Sequence, residues 1–526
     1  MTDTASRNAP MPKRALLFSA CAFQSPHSGV MLDEVEELLG GGYDVHFCYC
    51  SGILDSCFCN PHGNRAVCAI CKWCQRRLLA PYRKRIRIVP MKPSGGVRDM
   101  AFEYSDNESI KKLEYRHVFI GHGALANYVS LTRNATPRVD DGFRLYFDHQ
   151  LNGLCAYVDC VEKVFDDVSP DVVSFVTGRN AEQRPFLDLA KHRNIRFRAA
   201  ELAATPADSG VLHKVVFENS LPHDITLAGR LIEQVWREGG EADEEKREIG
   251  RSFYESRASG VKLNALDLTY TSRFKAGALP PNIDLSRKHL VIFNSSEDEY
   301  AAVGQGFDEY AVFPSQFDGI VALMDALKDS DYQVFLRIHP NLMGIDYPFH
   351  TDLYALEKRY GNLTVIPPDS PVSSYALLEV ADKVVVFGST IGLESAYRGK
   401  PTILLAGAFY YNLGVCYVPR SADEAIALVL DVGLPPKDNV LGAVKCGYYI
   451  LRQYTLGRPF EHVDIRNLAL RPRRIFGSRA RYGAYMKLWG SRRAMAYVLK
   501  KSLHLARKLF GNPLKTADEM SIFWFK

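Results

Sequence analysis

The stretch Val384–Leu405, VVVFGSTIGLESAYRGKPTILL, constrains the fold more than any other part of the chain. Val384–Phe387 is a β-branched apolar run, short enough for a parallel strand buried on both faces. Gly388, Ser389, Thr390 and Gly392 follow at its carboxyl end. There, backbone N–H groups and hydroxyls can face a phosphate at a helix N-terminus. Glu394 comes about one helical turn later, where a carboxylate can accept both hydroxyls of a ribose. Gly399 ends the helix, and Pro401 leads into the next strand, Thr402–Leu405. An ordinary βαβ crossover with a tight turn gives the same spacing, so the pattern fixes the architecture more firmly than the ligand.

That unit is one of a series. From Lys288 onward, strands are expected at His289–Phe293, Gln333–Arg337 and Leu363–Ile366, with helices at Phe317–Leu327 and Ser373–Val380. Polar residues recur at the strand ends: Ser295 and Ser296, then Arg337 and His339, then Ser389, Thr390 and Glu394. In an open parallel sheet such ends converge on one crevice. The N-terminal half repeats the theme, with strands at Arg14–Ala22, Tyr43–Tyr49, Ile86–Val89 and Asp171–Thr177 and a long helix around Phe143–Phe165. At 526 residues the chain exceeds the ~250–300 that one core serves, so two large domains are expected. The reading is α/β, with two doubly wound Rossmann-like domains, a Cys-rich insertion and a basic helical C-terminal tail. The divisions are 1–240, with the insertion at 48–77, an interdomain helical region at 241–287, a second α/β domain at 288–440 and the tail at 441–526.

Hydrophobic residues make up 47% and charged residues 24% of the chain, which is ordinary for a globular protein and excludes a disordered one. No apolar run is long enough for a transmembrane helix, and the N-terminus lacks the pattern of a signal peptide. A cytoplasmic protein is therefore expected. From Arg466 to Lys515 there is no Asp or Glu among many Arg and Lys. Around Tyr485, Trp489, Tyr497 and Phe510 these cations mix with apolar residues, which suits an anionic bilayer along 471–510. A helix packed on the body and a nucleic-acid arm are the other readings of the same composition.

Seven of the twelve cysteines fall between Cys48 and Cys74. Without a signal peptide a disulfide framework is not expected. Thiolates at C-x2-C spacing can converge on one ion, and Cys57, Cys68, Cys71 and Cys74 are the expected tetrahedral, structural zinc set. Cys50 and Cys59 could replace Cys57. An iron–sulfur cluster and plain buried thiols remain the alternatives.

The motifs FNSSEDE (Phe293–Glu299), RIHPN (Arg337–Asn341), GSTIGLESAYRGKP (Gly388–Pro401) and FYYNLGVCYVP (Phe409–Pro419) together resemble the nucleotide-binding domain of GT-B glycosyltransferases. They are most similar to those of bacterial capsule and surface-polysaccharide biosynthesis. CFCNPHGNRAVCAIC, YRHVFIGHG and TGRNAEQRP of the N-terminal half resemble the same proteins less specifically. The resemblance implies a nucleotide-sugar co-substrate, with Glu394 on the donor ribose and Ser389 and Thr390 on its phosphates. It also implies Arg337 and His339 at the pyrophosphate, and a glycan or glycolipid acceptor at the inner membrane face. Retaining enzymes of the commonest type carry two glutamates eight positions apart, whereas Val386 stands eight before Glu394. The general base is expected from the other domain, with His27 and His122 as candidates, and Arg179 is a candidate for acceptor or phosphate contact. A nucleotide-sugar 2-epimerase of the same fold and a zinc-containing nucleic-acid binder are the competing functions, though no nucleic-acid partner is expected.

Overall fold

In the computed structural model the described residues are 12–22, 25–54, 56–61, 63–91, 99–264 and 276–460. The basic stretch 471–510 lies outside them. The chain divides into two units. One comprises Met1–Leu202, Val216–Leu221 and Phe460–Lys526, and the other Ala203–Val215 and Pro222–Pro459.

The strands are β1 Arg14–Ser19, β2 Asp44–Tyr49, β3 Arg87–Val89, β4 Val172–Val176, β5 Arg196–Ala203, β6 Leu212–Glu218, β7 Lys288–Phe293, β8 Tyr332–Arg337, β9 Leu363–Ile366, β10 Lys383–Val386, β11 Thr402–Leu404 and β12 Arg458–Phe460. They form two sheets, ordered β12-β6-β5-β4-β1-β2-β3 and β11-β10-β7-β8-β9. In the first, β1 pairs with β2 and β4, β2 with β3 and β4 with β5, all parallel. In the second, every neighbouring pair is parallel. The chain of each sheet grows to one side and then returns to the other side of its first strand. That is the doubly wound Rossmann order, with a switch point between β1 and β4 in one sheet and between β7 and β10 in the other. The chain is thus α/β with two Rossmann-like sheets, the make-up expected from its sequence.

The central strands read as continuous apolar runs because both faces are covered. VVSFV of β4, YQVFLR of β8 and KVVV of β10 are buried at every position. The helix Asp141–Val168 starts where the Asp140 carboxylate accepts from the Phe143 N–H, and it ends at Ser169, in the left-handed conformation. Its stripe of Phe143, Phe147, Leu151, Leu154 and Val158 is buried, as a period of 3.6 demands.

The second unit takes in Ile225–Glu238, Asp243–Ser259 and Val440–Arg452, which lie in segments the sequence reading set in the first domain, the interdomain region and the tail. The helices Asp243–Ser259 and Val440–Arg452 touch backbone to backbone. A Cβ on Gly447 would stand 2.3 Å from the Gly250 carbonyl oxygen, and one on Gly250 would stand 2.3 Å from that of Val444. The Tyr254 hydroxyl, donating to the Ala443 carbonyl at 2.5 Å, fastens the same contact. Trp236 of Ile225–Glu238 sets its ring edge-on to Tyr448.

Candidate active-site groups of the two units

In the second unit the strand order places the ends of β10, β7 and β8 side by side, which no single motif could guarantee. Gly388 ends β10 at φ +88°, and a Cβ there would meet the Gly407 carbonyl oxygen at 2.6 Å, so only glycine fits. Two tyrosines hold the turn from beneath. The Tyr300 hydroxyl donates to the Phe387 carbonyl at 2.9 Å, and that of Tyr410 to the Ser389 carbonyl at 2.5 Å. Ser389 and Thr390 are half-buried, and neither hydroxyl has a hydrogen-bond partner among the described residues. They open the short helix Ile391–Tyr397.

At the end of β7 the polar residues turn inward. Asn294, Ser295 and Ser296 are all buried. The Ser295 N–H donates to the Gln316 side-chain oxygen at 2.8 Å, and the Ser296 hydroxyl to Asp298 at 2.6 Å. The Asn294 amide oxygen, missed in the sequence, accepts from the His339 N–H at 2.7 Å and so joins the ends of β7 and β8. His339 is half-buried and accepts at Nδ1 from the Asn341 N–H at 3.2 Å. That bond assigns the ring proton to Nε2.

Arg337 corrects the sequence reading. Its side chain is 1% exposed and donates to the Pro367 and Ser370 carbonyls, so it fastens the loop after β9 instead of standing open for a pyrophosphate. Burial lowers its pKa to about 10, opposed by Asp369. Glu394 is also covered, 2% exposed. One carboxylate oxygen accepts from Arg257 Nε at 2.9 Å and the other from the Tyr375 hydroxyl at 2.6 Å. Arg257 and Tyr375 lie 137 and 19 positions away in sequence, so spacing gave no sign of either.

In the first unit the loops after β1 and β4 meet at its switch point. His27, in the first turn of Ser25–Gly40, sets Nε2 3.4 Å from a carboxylate oxygen of Glu201, near the end of β5. Both side chains are partly exposed, at 28% and 22%. This imidazole–carboxylate pair is the arrangement that orients a general base. Glu201 carries no local signal, because its partner His27 lies far from it along the chain. After β4, Thr177 and Gly178 both take positive φ, +56° and +82°. A non-glycine residue held there marks an over-determined turn. Arg179 follows, half-buried, with a guanidinium N–H donating to the Ser130 hydroxyl at 3.1 Å.

His122 is removed from the list of bases. Its ring is 0% exposed, and neither nitrogen has a hydrogen-bond partner among the described residues. Burial and the nearby Arg184 lower its pKa to about 3. A ring that is enclosed and that weakly basic cannot take a proton from a substrate hydroxyl near neutral pH.

The expected zinc tetrad is likewise not assembled. Among the described residues no three or more His, Cys, Asp or Glu are arranged to hold a metal ion. Cys57, Cys68, Cys71 and Cys74 are drawn to different partners. The Cys68 sulfur accepts from the Asn60 side-chain amide at 3.1 Å, and Cys71 hydrogen-bonds to Cys21, at the end of β1. That bond and burial raise the Cys71 pKa, burial and Glu182 raise that of Cys57, and burial takes Cys74 up to about 11. Glu182, buried, anchors this loop by accepting from the Phe58 N–H at 2.6 Å and from the Asn127 side-chain amide at 3.1 Å.

No protein-family model matches the chain, and no curated protein matches it. Among solved structures it is similar to KpsC, a beta Kdo 2,4 transferase of Thermosulfurimonas dismutans, at 13% identity and a TM-score of 0.32, over 53% of this chain and 79% of that one. It is similar to the glycosyltransferase SnogD of Streptomyces nogalater at 13% identity and a TM-score of 0.20, over 84% of this chain and 95% of that one. It is also similar to the UDP-GlcNAc 2-epimerase of Methanocaldococcus jannaschii at 12% identity and a TM-score of 0.25, over 85% and 100%. No helix among the described residues is long and apolar enough to cross a membrane.

Proposed function

We propose that the protein is a glycosyltransferase that moves a sugar from a nucleotide-sugar donor to a glycan or glycolipid acceptor of a surface or capsular polysaccharide. The observation that carries this reading is the partnerless hydroxyl pair Ser389 and Thr390 at the switch point beside β7, with His339 on the neighbouring strand end. Open hydroxyls over a glycine turn suit the oxygens of a diphosphate. His339, as a hydrogen-bond donor at Nε2, would stabilise charge on the leaving phosphate as the anomeric bond breaks. Glu394, 2% exposed with its oxygens bonded to Arg257 and Tyr375, would meet a ribose by exchanging those bonds for the ribose hydroxyls when the donor binds, and on that basis it is the proposed ribose carboxylate. In the first unit, His27 oriented by Glu201 would take the proton of the acceptor hydroxyl, with Arg179 on an acceptor or donor phosphate.

The test is a thermal-shift screen with UDP-, GDP-, CMP- and dTDP-sugars, since a ligand bound to the native state raises its melting temperature. Mass spectrometry of the products follows, with and without acceptor. One donor class should stabilise the protein, and nucleotide should be released only with acceptor present. Epimerised nucleotide sugar formed without acceptor would refute transfer in favour of a 2-epimerase.

A further inference from the structure

The helix Arg65–Leu78 turns its cysteines inward and an unusual face outward. Cys74, Gln75 and Leu78 are buried, whereas Arg65, Ala69, Ile70, Trp73, Arg76 and Arg77 are exposed. At 3.6 residues per turn Arg65, Ala69, Trp73 and Arg76 form one stripe, and Ile70 and Arg77 the stripe beside it. Trp73 therefore stands in the middle of the solvent face, 42% exposed, with the Arg77 guanidinium 6.0 Å from its ring centroid. The chain continues through exposed Arg83 and Lys84 into β3, the edge strand, where Ile88 is exposed. From Arg65 to Arg87 there are eight Arg and Lys and no Asp or Glu. Arg85 pairs with Glu36 at 2.8 Å and Arg87 with Asp44 at 3.2 Å. Arg65, Lys72, Arg76, Arg77, Arg83 and Lys84 have no carboxylate partner among the described residues.

We infer that this face docks on an anionic lipid bilayer. Tryptophan favours the headgroup level, isoleucines gain from contact with acyl chains, and arginine stems can lie along the surface with their heads at lipid phosphates. A nucleic acid would meet the same cations but offers little to exposed Ile70 and Ile88, so the apolar residues decide for lipid.

The test mixes the full chain with vesicles of phosphatidylcholine, alone and with an equal amount of phosphatidylglycerol, at low and high salt. The chain should sediment with the mixed vesicles only, and less so at high salt. The variant Arg76→Gln/Arg77→Gln should partition about 25-fold more weakly, about five-fold per charge. A thermal melt confirms that this outward-facing variant is folded. Trp73 supplies the local readout. Lipids with brominated chains should quench the emission of the unmodified chain more than that of Trp73→Phe. Equal quenching of the two while both sediment would overturn the inference, because another segment would then be docking. Undiminished partitioning of the double-arginine variant would overturn it too. So would binding to duplex DNA with no binding to either vesicle.

Discussion

Glu394→Ala separates what this carboxylate does for the fold from what it does for a ligand. The substitution takes the Glu394 carboxylate away from Arg257, which is only 16% exposed, and leaves the Tyr375 hydroxyl without its acceptor. Breaking one side of a buried ion pair costs ~3–5 kcal/mol. Because Arg257 keeps some contact with water, the low end applies, about 3 kcal/mol, with about 1 kcal/mol more for the stranded hydroxyl. In a cooperative unit of this size each kcal/mol lowers the melting temperature by about 2–4 °C, so a fall of about 8–16 °C is expected. Glu394→Gln keeps an acceptor oxygen and should lose roughly half as much. Differential scanning calorimetry reads the shift. A fall below about 2 °C for Glu394→Ala would refute the assigned pairing, since no buried ion pair would then have been broken. Donor titration below the lowered transition then isolates the ligand. If Glu394 holds the ribose, affinity for the donor drops further in Glu394→Ala than in Tyr375→Phe, and equal affinities would end that assignment.

Four further outcomes are expected. Ser389→Ala/Thr390→Val should weaken donor binding by about 10–100-fold, from about 1.5–3 kcal/mol of lost bonds to a charged group, with the melting temperature nearly unchanged, as calorimetric titration would show. His27→Ala should lower kcat by about 10²–10⁴-fold and Glu201→Gln by less, in steady-state assays with donor and acceptor; an unchanged kcat in His27→Ala would exclude it as the base. Folding buries His122 neutral with its pKa lowered to about 3, so the unfolded chain binds the extra proton and stability falls as pH drops below about 6.5. By pH 5 that ring alone costs about 2 kcal/mol relative to neutral pH, and urea titrations of His122→Phe should show a shallower acid dependence. Gly388→Ala forces a side chain into left-handed backbone and against the Gly407 carbonyl, so a loss of at least about 2 kcal/mol should accompany loss of donor binding.

The periodicity of the chain determined a good deal on its own. Short runs such as Val384–Val386 and Val172–Val176, the latter polar only at Ser174, read as strands covered on both faces, because no solvated face is written into them. Gly388 was equally legible, since a strand that must turn sharply over a neighbouring carbonyl needs a residue with no Cβ. Strand order was not legible. It follows from which sheet edges pair, and it alone sets the ends of β7, β8 and β10 side by side and puts His27 beside Glu201.

Tertiary packing also decided the side chains that sequence spacing misread. Arg337 and His122 sit at motif positions, yet each is enclosed, Arg337 against the loop carbonyls of Pro367 and Ser370 and His122 within a buried helix. The cysteines stand at metal-ligand spacing along the chain. Nevertheless Cys71 turns to Cys21 and Cys68 to Asn60, because the helix that carries them presents a single inward face. That same helix leaves Trp73 and its arginines outside. The sequence alone shows a cation-rich run, and only the direction of burial shows which residues are left to face a partner.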